Sequence, residues 1–573
     1  MIIGSIIEVR GVKVAAKFYK KMPPHMIQNA NIFPAPQINS YVKTNVGLDT
    51  IICQIVGEYL IKNEKGISDH IVDLEVRGRV SKNCFLGGLR LLPIVGAKIE
   101  TLSENEYNSI FLKPKFSICL GHNLYDTSNK IYLDVNKLIP SHIGIFGNTG
   151  SGKSNTLAKI LREYINMKKE SKNKNKSKII IFDLNNEYDN NAICNISMKK
   201  IFRLNTKITS TLVEKIPINY KKLSYEDFGI ILNATEKTQM PVIKKAYLNS
   251  HKKYEDQEEH YGINLIKKLI VNKKSNIFFS IRQYCKDYIA GLDDFKFNST
   301  TNSFLYKSNY VNTIEDFSKI PADCIKISIP DNWLDRFELE LTLEIAKRTE
   351  SGINFEYISP LMNRMALKKN DLKKVFQEVD VDNFFDNWFD DKDVSIIELA
   401  NVNKDIRMIV PSLMSGIIYN NMVEEKGKDS IKSIINIVID EAHNLLSNDL
   451  ESTEIHDNTL KTFEKIIKEG RKYGVFLIIS SQRPSDISNT ITSQLHNYFI
   501  HKLVNPNDIE KVRKTVSYMG ESNLNMITVL GAGECIISGT ALYMPQYVYI
   551  DEMDKDSRPN SSNPVLFGDE GIL

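Results

Sequence analysis

The residues with the clearest chemical potential are 143–154, where an apolar run ends in a glycine-rich loop. They read Ile-Gly-Ile-Phe-Gly-Asn-Thr-Gly-Ser-Gly-Lys-Ser and fit the pattern G-x-x-x-x-G-K-[S/T] at every fixed position. The residues that follow, 155–162, have helical spacing, so the loop stands between a buried strand and a helix N-terminus. Backbone N–H groups and the helix dipole can hold phosphates at such a position.

This loop predicts a site for ATP and Mg²⁺. Lys153 should reach the β- and γ-phosphates and serve catalysis, and Ser154 should ligate Mg²⁺. The glycines let the backbone wrap closely around phosphates without Cβ clashes. A chance glycine-rich turn is the alternative, and the strand, helix, lysine and serine in register argue against it. The predicted nucleotide-binding residues are Gly147, Asn148, Thr149, Gly150, Ser151, Gly152, Lys153, Ser154 and Asn155.

A second apolar run, residues 434–439, ends in the acidic pair Asp440 and Glu441. Asp440 can hold Mg²⁺ through its water shell, and Glu441 can polarise the attacking water, which are the two functions that a hydrolysing P-loop ATPase needs. Acidic residues also end ordinary strands as turn formers. Residues 440–443 read Asp-Glu-Ala-His, as in helicases with two fused motor domains, but the 133 residues after Asp440 are too few for a second motor lobe. We therefore interpret His443 as a helix N-terminal residue.

Two further polar residues are candidates for catalysis. Gln482 follows the apolar run 475–480 and could sense the γ-phosphate, or it could only hydrogen-bond the local turn. Arg471 precedes that run and could insert into the site of a neighbouring subunit, where an arginine stabilises transition-state charge. A surface arginine that caps a helix C-terminus is an equal alternative.

Composition narrows the class of protein. Lys and Arg number 74 and Asp and Glu 70, so the net charge of +4 gives no bulk argument for nucleic acid. The seven cysteines form no C-x-x-C pair, which argues against a zinc module and fits reduced thiols. No basic leader precedes the first apolar residues, and no apolar run approaches the length of a membrane span. We expect a cytoplasmic protein without a membrane partner.

The order of the patterned segments predicts an α/β fold. Short glycine-punctuated strands before residue 125 indicate a small N-terminal β-barrel. Strand, phosphate loop, helix and strand then predict a P-loop, RecA-like ATPase domain with a mainly parallel sheet. The predicted division is a barrel at 1–125, the ATPase core at 126–204 and 391–550, a helical insertion at 205–390, and a C-terminal extension at 551–573.

Two polar segments are predicted to be loops. Residues 293–316 are polar and are predicted to be a loop within the insertion. The Lys/Asn/Ser run at 168–178 could contact DNA, but such a run is more often a solvated loop, which we favour.

Taken together, these residues resemble the HerA branch of the HerA/FtsK ATPases over nearly the whole chain. The β-rich front resembles the N-terminal HAS barrel, and 147–154 and 440–441 match the phosphate loop and acidic pair. Residues 470–475 and 481–486 look like the arginine-finger and sensor segments, and 182–188 is similar to an acidic D-x-x-x-E-Y segment that contains Asp183 and Glu187. Asn185 and Asn186 replace the usual His-Gly there, which leaves the role of this turn open.

The resemblance implies a homohexameric ring through whose pore double-stranded DNA passes, with ATP sites between subunits and Arg471 acting in trans. It also implies an effector protein, such as a NurA-like nuclease or a sirtuin-like NADase, in DNA processing or anti-phage defence. The Lys/Asn/Ile-rich composition mildly favours defence. An ATP-binding scaffold ring that regulates an effector with little translocation is the alternative. A conjugation-type coupling ATPase is a third possibility, against which the lack of membrane spans counts.

Overall fold

The computed structural model describes most of the chain up to residue 560. The segments outside this description are 20–24, 29–30, 35, 63–67, 82–83, 89, 104–105, 107–109, 112, 126, 128, 172–176, 208–213, 253–259, 322, 382–385, 427–432, 449–453, 517–520 and 561–573. Residues 172–176 of the Lys/Asn/Ser run and the end of the predicted C-terminal extension therefore lie outside the described residues, while 168–170 continue a helix and 177–178 begin a strand.

The elements are numbered along the chain. The strands are β1 (Ile2–Arg10), β2 (Lys13–Phe18), β3 (His25–Gln28), β4 (Asn31–Pro34), β5 (Tyr41–Val46), β6 (Asp49–Lys62), β7 (Ser68–Ser81), β8 (Cys84–Leu86), β9 (Lys98–Thr101), β10 (Ser117–Asn123), β11 (Lys130–Asp134), β12 (Ile143–Phe146), β13 (Ser177–Asp183), β14 (Lys199–Arg203), β15 (Ile216–Ile218), β16 (Ile289–Ala290), β17 (Phe295–Asn298), β18 (Ser303–Tyr306), β19 (Asn309–Val311), β20 (Lys326–Ile327), β21 (Phe376–Glu378), β22 (Val394–Glu398), β23 (Ile434–Ile439), β24 (Val475–Ser481), β25 (Asn497–Ile500), β26 (Glu534–Gly539) and β27 (Gln546–Ile550). The α-helices are α1 (Val135–Leu138), α2 (Lys153–Glu170), α3 (Tyr225–Leu232), α4 (Met240–Ser250), α5 (Tyr261–Val271), α6 (Ser275–Cys285), α7 (Ile314–Ser318), α8 (Trp333–Glu350), α9 (Phe355–Ile358), α10 (Pro360–Val375), α11 (Lys404–Lys426), α12 (His443–Leu446), α13 (Glu454–Glu469), α14 (Asn489–Ser493), α15 (Pro506–Thr515) and α16 (Glu521–Met526).

The N-terminal part is a closed β-barrel. Strands β2, β1, β9, β5, β6 and β7 pair in that order, and antiparallel pairing of β2 with β7 closes the ring. Alternate residues point inward along these strands, so Val14, Val42, Ile51 and Val72 are almost completely buried in the barrel core. Two strands exceed the short length that the glycines suggest, since β6 and β7 each have 14 residues.

The ATPase part is built on one eleven-stranded sheet with the order β11-β10-β27-β26-β25-β12-β24-β23-β13-β22-β14. The seven strands from β25 to β14 run parallel, while β26, β27, β10 and β11 pair antiparallel at one edge. Strand β10 joins this sheet, so the sheet begins before residue 126, where the sequence analysis starts it. The structure confirms the predicted fold class, a mainly parallel P-loop sheet preceded by a small barrel.

Both faces of the parallel strands are covered, which explains their continuous apolar runs. Leu157 and Leu161 of α2 pack in the core on one face. On the other face, Trp333 and Phe337 of α8 share a core with Ile437 of β23. Helices from the 205–390 region therefore supply part of the packing of the sheet.

The 205–390 region also contains strands, and the prediction of a loop over 293–316 is wrong. Strands β17, β18 and β19 form a three-stranded antiparallel sheet there. Phe295, Phe304 and Tyr306 point into a small core shared with α5, α6 and α8, while Lys296 on β17 is exposed. The strands are short and their turns are polar, so the composition of the segment indicates a loop. The spacing of the aromatic residues is the sequence signal that indicates strands.

Among the described residues, no helix is both long and apolar enough to cross a membrane.

Candidate nucleotide-binding site

The glycine-rich loop lies at the carboxyl edge of the parallel strands, between β12 and α2. Strand β12 runs between β24 and β25, so the ends of both neighbours flank the loop. The Gly147 N–H donates to the Ser481 carbonyl at 3.3 Å, and the Asn148 N–H donates to the Lys502 carbonyl at 2.9 Å. These bonds fix the start of the loop against both adjacent strands.

Glycine is required at Gly147 and Gly152 for different reasons. A Cβ on Gly147 would lie 2.5 Å from the His501 Cβ and 2.6 Å from the Ser151 Oγ, so the chain cannot carry a side chain there. Gly152 has φ +108°, a conformation that L residues with side chains rarely adopt. Helix α2 begins directly after it, so its first N–H groups face the loop.

His501 supports the loop from below, and the sequence analysis did not single it out. It is fully buried, and burial lowers its pKa to about 4, so the ring is neutral. Its Nδ1 lies 2.9 Å from the Glu534 carbonyl, to which Nδ1–H donates, and Nε2 lies 3.0 Å from the Thr156 Oγ1. A histidine at the end of an apolar strand carries no sequence signal of this role, because the contacts come from distant segments.

Lys153 is almost buried within the loop, with 6% of its surface exposed. Its Nζ donates to the Asn148 carbonyl at 3.1 Å. Burial lowers the pKa of Lys153, and the negative charges of Glu441, Asp440 and Glu187 oppose this shift. The predicted acidic pair and the loop lysine therefore meet in the folded chain, although they are far apart in sequence.

Asp440 lies at the end of β23 and is 2% exposed. Its Oδ2 accepts from the Tyr188 hydroxyl at 2.9 Å, and its Oδ1 accepts from the Glu441 N–H at 2.9 Å. Burial raises the pKa of Asp440, and the neighbouring Glu441 charge raises it further. A divalent cation beside this carboxylate would offset that cost.

Glu441 adopts a left-handed backbone conformation, with φ +48°. Such a conformation costs a non-glycine residue about 1–2 kcal/mol. The contacts around Glu441 must therefore hold its backbone in this conformation. Its Oε2 lies 3.3 Å from the Nδ1 of His443, the first residue of α12. Burial lowers the pKa of His443.

Gln482 connects the two halves of the site. Its Nε2 donates to the Glu441 Oε1 at 2.6 Å, and its Oε1 accepts from the Thr149 hydroxyl at 2.5 Å. One amide thus touches both the tip of the phosphate loop and the carboxylate that follows β23. The structure therefore places Gln482 inside the site and not only in its local turn.

Arg471 lies apart from these groups. It belongs to a 3-10 turn, Gly470–Tyr473, that precedes β24, and its side chain is exposed. It influences the pKa values of His142 and His496, which lie next to the amino ends of β12 and β25. The turn is therefore at the edge of the sheet opposite the loop, and Arg471 does not join the site of its own chain.

The acidic turn after β13 does reach the site. Asp183 accepts from the Tyr188 N–H at 3.0 Å and from the Asn185 N–H at 3.3 Å. Asn186 has φ +60°, a left-handed conformation that glycine favours and asparagine tolerates, which accounts for asparagine at this position. Glu187 is 9% exposed, and burial together with the Asp440 charge raises its pKa to about 7.

These side chains suit a hydrated magnesium ion. Ser154 stands in the first turn of α2, and Asp440 and Glu187 influence each other across the same space. Within the described residues, no three His, Cys, Asp or Glu side chains are arranged to hold a metal by themselves. Mg²⁺ prefers to keep several waters and to bind with phosphate oxygens, so a hydroxyl with carboxylates near its water shell fits that ion.

Family models and the sequences of known proteins both match this chain, and these matches point to the same family. The model of the HerA helicase central domain matches residues 118–418, and that of the HerA-like C-terminal domain matches 394–550. A probable helicase of Methanocaldococcus jannaschii is 26% identical over 551 residues, 91% of this chain and 87% of that protein. A probable DNA double-strand break repair helicase HerA of the same organism is 25% identical over 87% of this chain and 91% of its own. The DNA double-strand break repair helicase HerA of Sulfolobus acidocaldarius is 24% identical, over 88% and 83% respectively.

The hydrogen bond from Tyr188 to Asp440 can be tested by its contribution to stability. Tyr188→Phe removes the hydroxyl that serves a buried carboxylate, and we expect the free energy of unfolding to fall by about 1–3 kcal/mol. Tyr220→Phe is the matched control, because the buried Tyr220 hydroxyl has no hydrogen-bond partner among the described residues, and its removal should be neutral or stabilising. Urea unfolding of the nucleotide-free protein measures both, and equal losses in the two variants would contradict the assignment.

Proposed function

This chain belongs to the HerA helicase family and is a P-loop ATPase, and we propose that ATP hydrolysis drives it along double-stranded DNA as a homohexamer. The observation that supports ATP hydrolysis most directly is the Gln482 amide, which joins Thr149 of the phosphate loop to Glu441. A side chain in this position can report the state of the γ-phosphate to the catalytic carboxylate.

Each site residue has a role in this proposal. Lys153 binds the β- and γ-phosphates together with the backbone N–H groups of the loop. Glu441 accepts a hydrogen bond from the attacking water and orients it, while Gln482 holds Glu441 in place. Ser154 and Asp440 would hold Mg²⁺, which supplies charge neutralisation at the phosphates.

The position of Arg471 supports an assembly with sites between subunits. Its exposed side chain stands at the edge of the sheet opposite the loop, where it does not reach the site of its own chain and is accessible to a neighbouring one. An arginine supplied by a neighbour makes hydrolysis depend on subunit contact. Two relatives of this chain are named DNA double-strand break repair helicases. Their names and the position of Arg471 together support a ring that acts on DNA.

We propose the effector only as a class of protein, and this proposal rests on the resemblance to the HerA family. The resemblance to the HerA family implies a nuclease such as NurA or, in defence systems, a sirtuin-like NADase. We propose a partner of one of these classes for this chain. Purification with the product of a neighbouring gene in a fixed ratio tests it. If the Lys153→Ala variant still assembles with the partner and activates it, the result would instead support a scaffold function with little translocation.

The proposed function is tested by two measurements on the same preparation. Particle mass and electron micrographs should show a six-subunit ring, and ATP turnover should rise when double-stranded DNA is added. A stable monomer whose turnover is unaffected by DNA would exclude the motor.

Glu441→Gln tests the catalytic carboxylate. The variant keeps the shape of the side chain and the loop contacts, so ATP should still bind with near-normal affinity. Hydrolysis should fall by roughly 100-fold or more, because the attacking water loses its acceptor. Binding of a fluorescent ATP analogue and steady-state phosphate release separate the two effects, and unchanged release would remove Glu441 from catalysis.

Arg471→Ala tests action between subunits, with Lys472→Ala as the matched control on the same exposed turn. Arg471→Ala should lower ATP turnover at least 10-fold without loss of ATP binding, whereas Lys472→Ala should behave as wild type. Mixed rings of Arg471→Ala and Glu441→Gln subunits should regain part of the activity, because some interfaces then combine an intact arginine with an intact glutamate. Equal turnover of Arg471→Ala and wild type would exclude this residue as the trans-acting cation.

A further inference from the structure

We propose that Glu187 is a third acidic group of the nucleotide site, which positions Ser154 and helps to hold the divalent cation that accompanies ATP. This inference rests on the proposed function, since it assigns a residue to the same site. Glu187 is a positioning residue in this role, because it acts through the serine hydroxyl and through water.

The first observation is an unused acceptor on a buried carboxylate. Glu187 is 9% exposed, and its Oε1 accepts from the Asn185 Nδ2 at 3.3 Å. Its carboxylate lies within hydrogen-bonding reach of the Ser154 side chain. Its Oε2 has no hydrogen-bond partner in the part of the chain that the structure describes. Buried polar atoms are rarely left unpaired, so an unpaired oxygen beside a nucleotide loop indicates a missing ligand or water.

The second observation is the charge balance around Lys153. Three carboxylates, those of Glu187, Asp440 and Glu441, act on the single ammonium group of Lys153. One ammonium group does not match three buried carboxyl groups, and a bound triphosphate adds more negative charge. A divalent cation on the Ser154 side of the loop balances part of this excess.

The third observation is that the turn carrying Glu187 is held from several directions. The Tyr188 hydroxyl donates to Asp440, and the Lys199 Nζ donates to the Tyr188 carbonyl at 2.7 Å. From the C-terminal segment, the Asn560 N–H donates to the Glu187 carbonyl at 2.9 Å. Such support is expected of a residue that must keep a fixed position beside a ligand.

The arrangement also limits what Glu187 can do. Since the described carboxylates do not form a direct metal cage, the Glu187 oxygen would reach the cation by hydrogen bonds to its waters. Partners of this kind orient the direct ligands and tune metal affinity, and their loss typically weakens metal binding about 10–100-fold.

The test compares Glu187→Gln with Asp189→Asn, a matched change two residues away. The Asp189 carboxylate accepts from the Asn560 Nδ2 and stands outside the site. Mn²⁺ is the probe, and its binding to the protein with a non-hydrolysable ATP analogue is followed by electron paramagnetic resonance. Glu187→Gln should weaken Mn²⁺ binding about 10-fold or more, and Asp189→Asn should leave it within about twofold of wild type.

Two further measurements keep the result interpretable. Thermal unfolding without metal shows whether Glu187→Gln is folded, and Glu187→Asp, which keeps the carboxylate, should recover part of the Mn²⁺ affinity. The inference would be overturned if folded Glu187→Gln bound Mn²⁺ with the affinity of the wild type. It would also be overturned if Asp189→Asn weakened Mn²⁺ binding as much as Glu187→Gln. Absence of nucleotide binding in the wild-type protein would instead contradict the proposed function.

Discussion

The structure depends on placing several ionisable groups in a mostly buried space at one edge of a parallel sheet. Lys153, Asp440, Glu441 and Glu187 all have less than a tenth of their surface exposed. Burying charges is unfavourable unless they are paired and hydrogen-bonded, and the acids outnumber the ammonium group. The sheet and its covering helices hold these groups together in spite of this cost, which is what makes the edge suited to a charged ligand and its cation.

Hydrogen bonds between distant segments provide that restraint. Gln482 connects the loop tip to Glu441, Tyr188 connects the acidic turn to Asp440, and His501 connects α2 to the first residue of β26. Each bond joins segments that adjoin different strands of the sheet, so the site exists only when the strand order is correct. The left-handed backbone of Glu441 is stable in this setting because its side chain and its neighbours are held on both sides.

Sequence alone could predict the parts that local patterns encode. The phosphate loop and the acidic pair were readable because each follows a continuous apolar run, and such runs are typical of strands buried on both faces. The meeting of Glu187 with Ser154 was not readable, because it depends on a turn that Asn560 and Lys199 support from elsewhere in the chain. The β17–β19 sheet was missed for a related reason, since three- and four-residue strands with polar turns leave little periodicity to detect.

The distance of Arg471 from the loop has a physical consequence for an ATPase of this kind. Within one chain, the phosphate loop carries a buried ammonium group against an excess of carboxyl groups, and Arg471 lies too far from it to meet the charge that develops during hydrolysis. In the proposed ring, Arg471 of the neighbouring subunit would supply positive charge at this site, and its turn leads directly into β24, the strand that Gln482 follows.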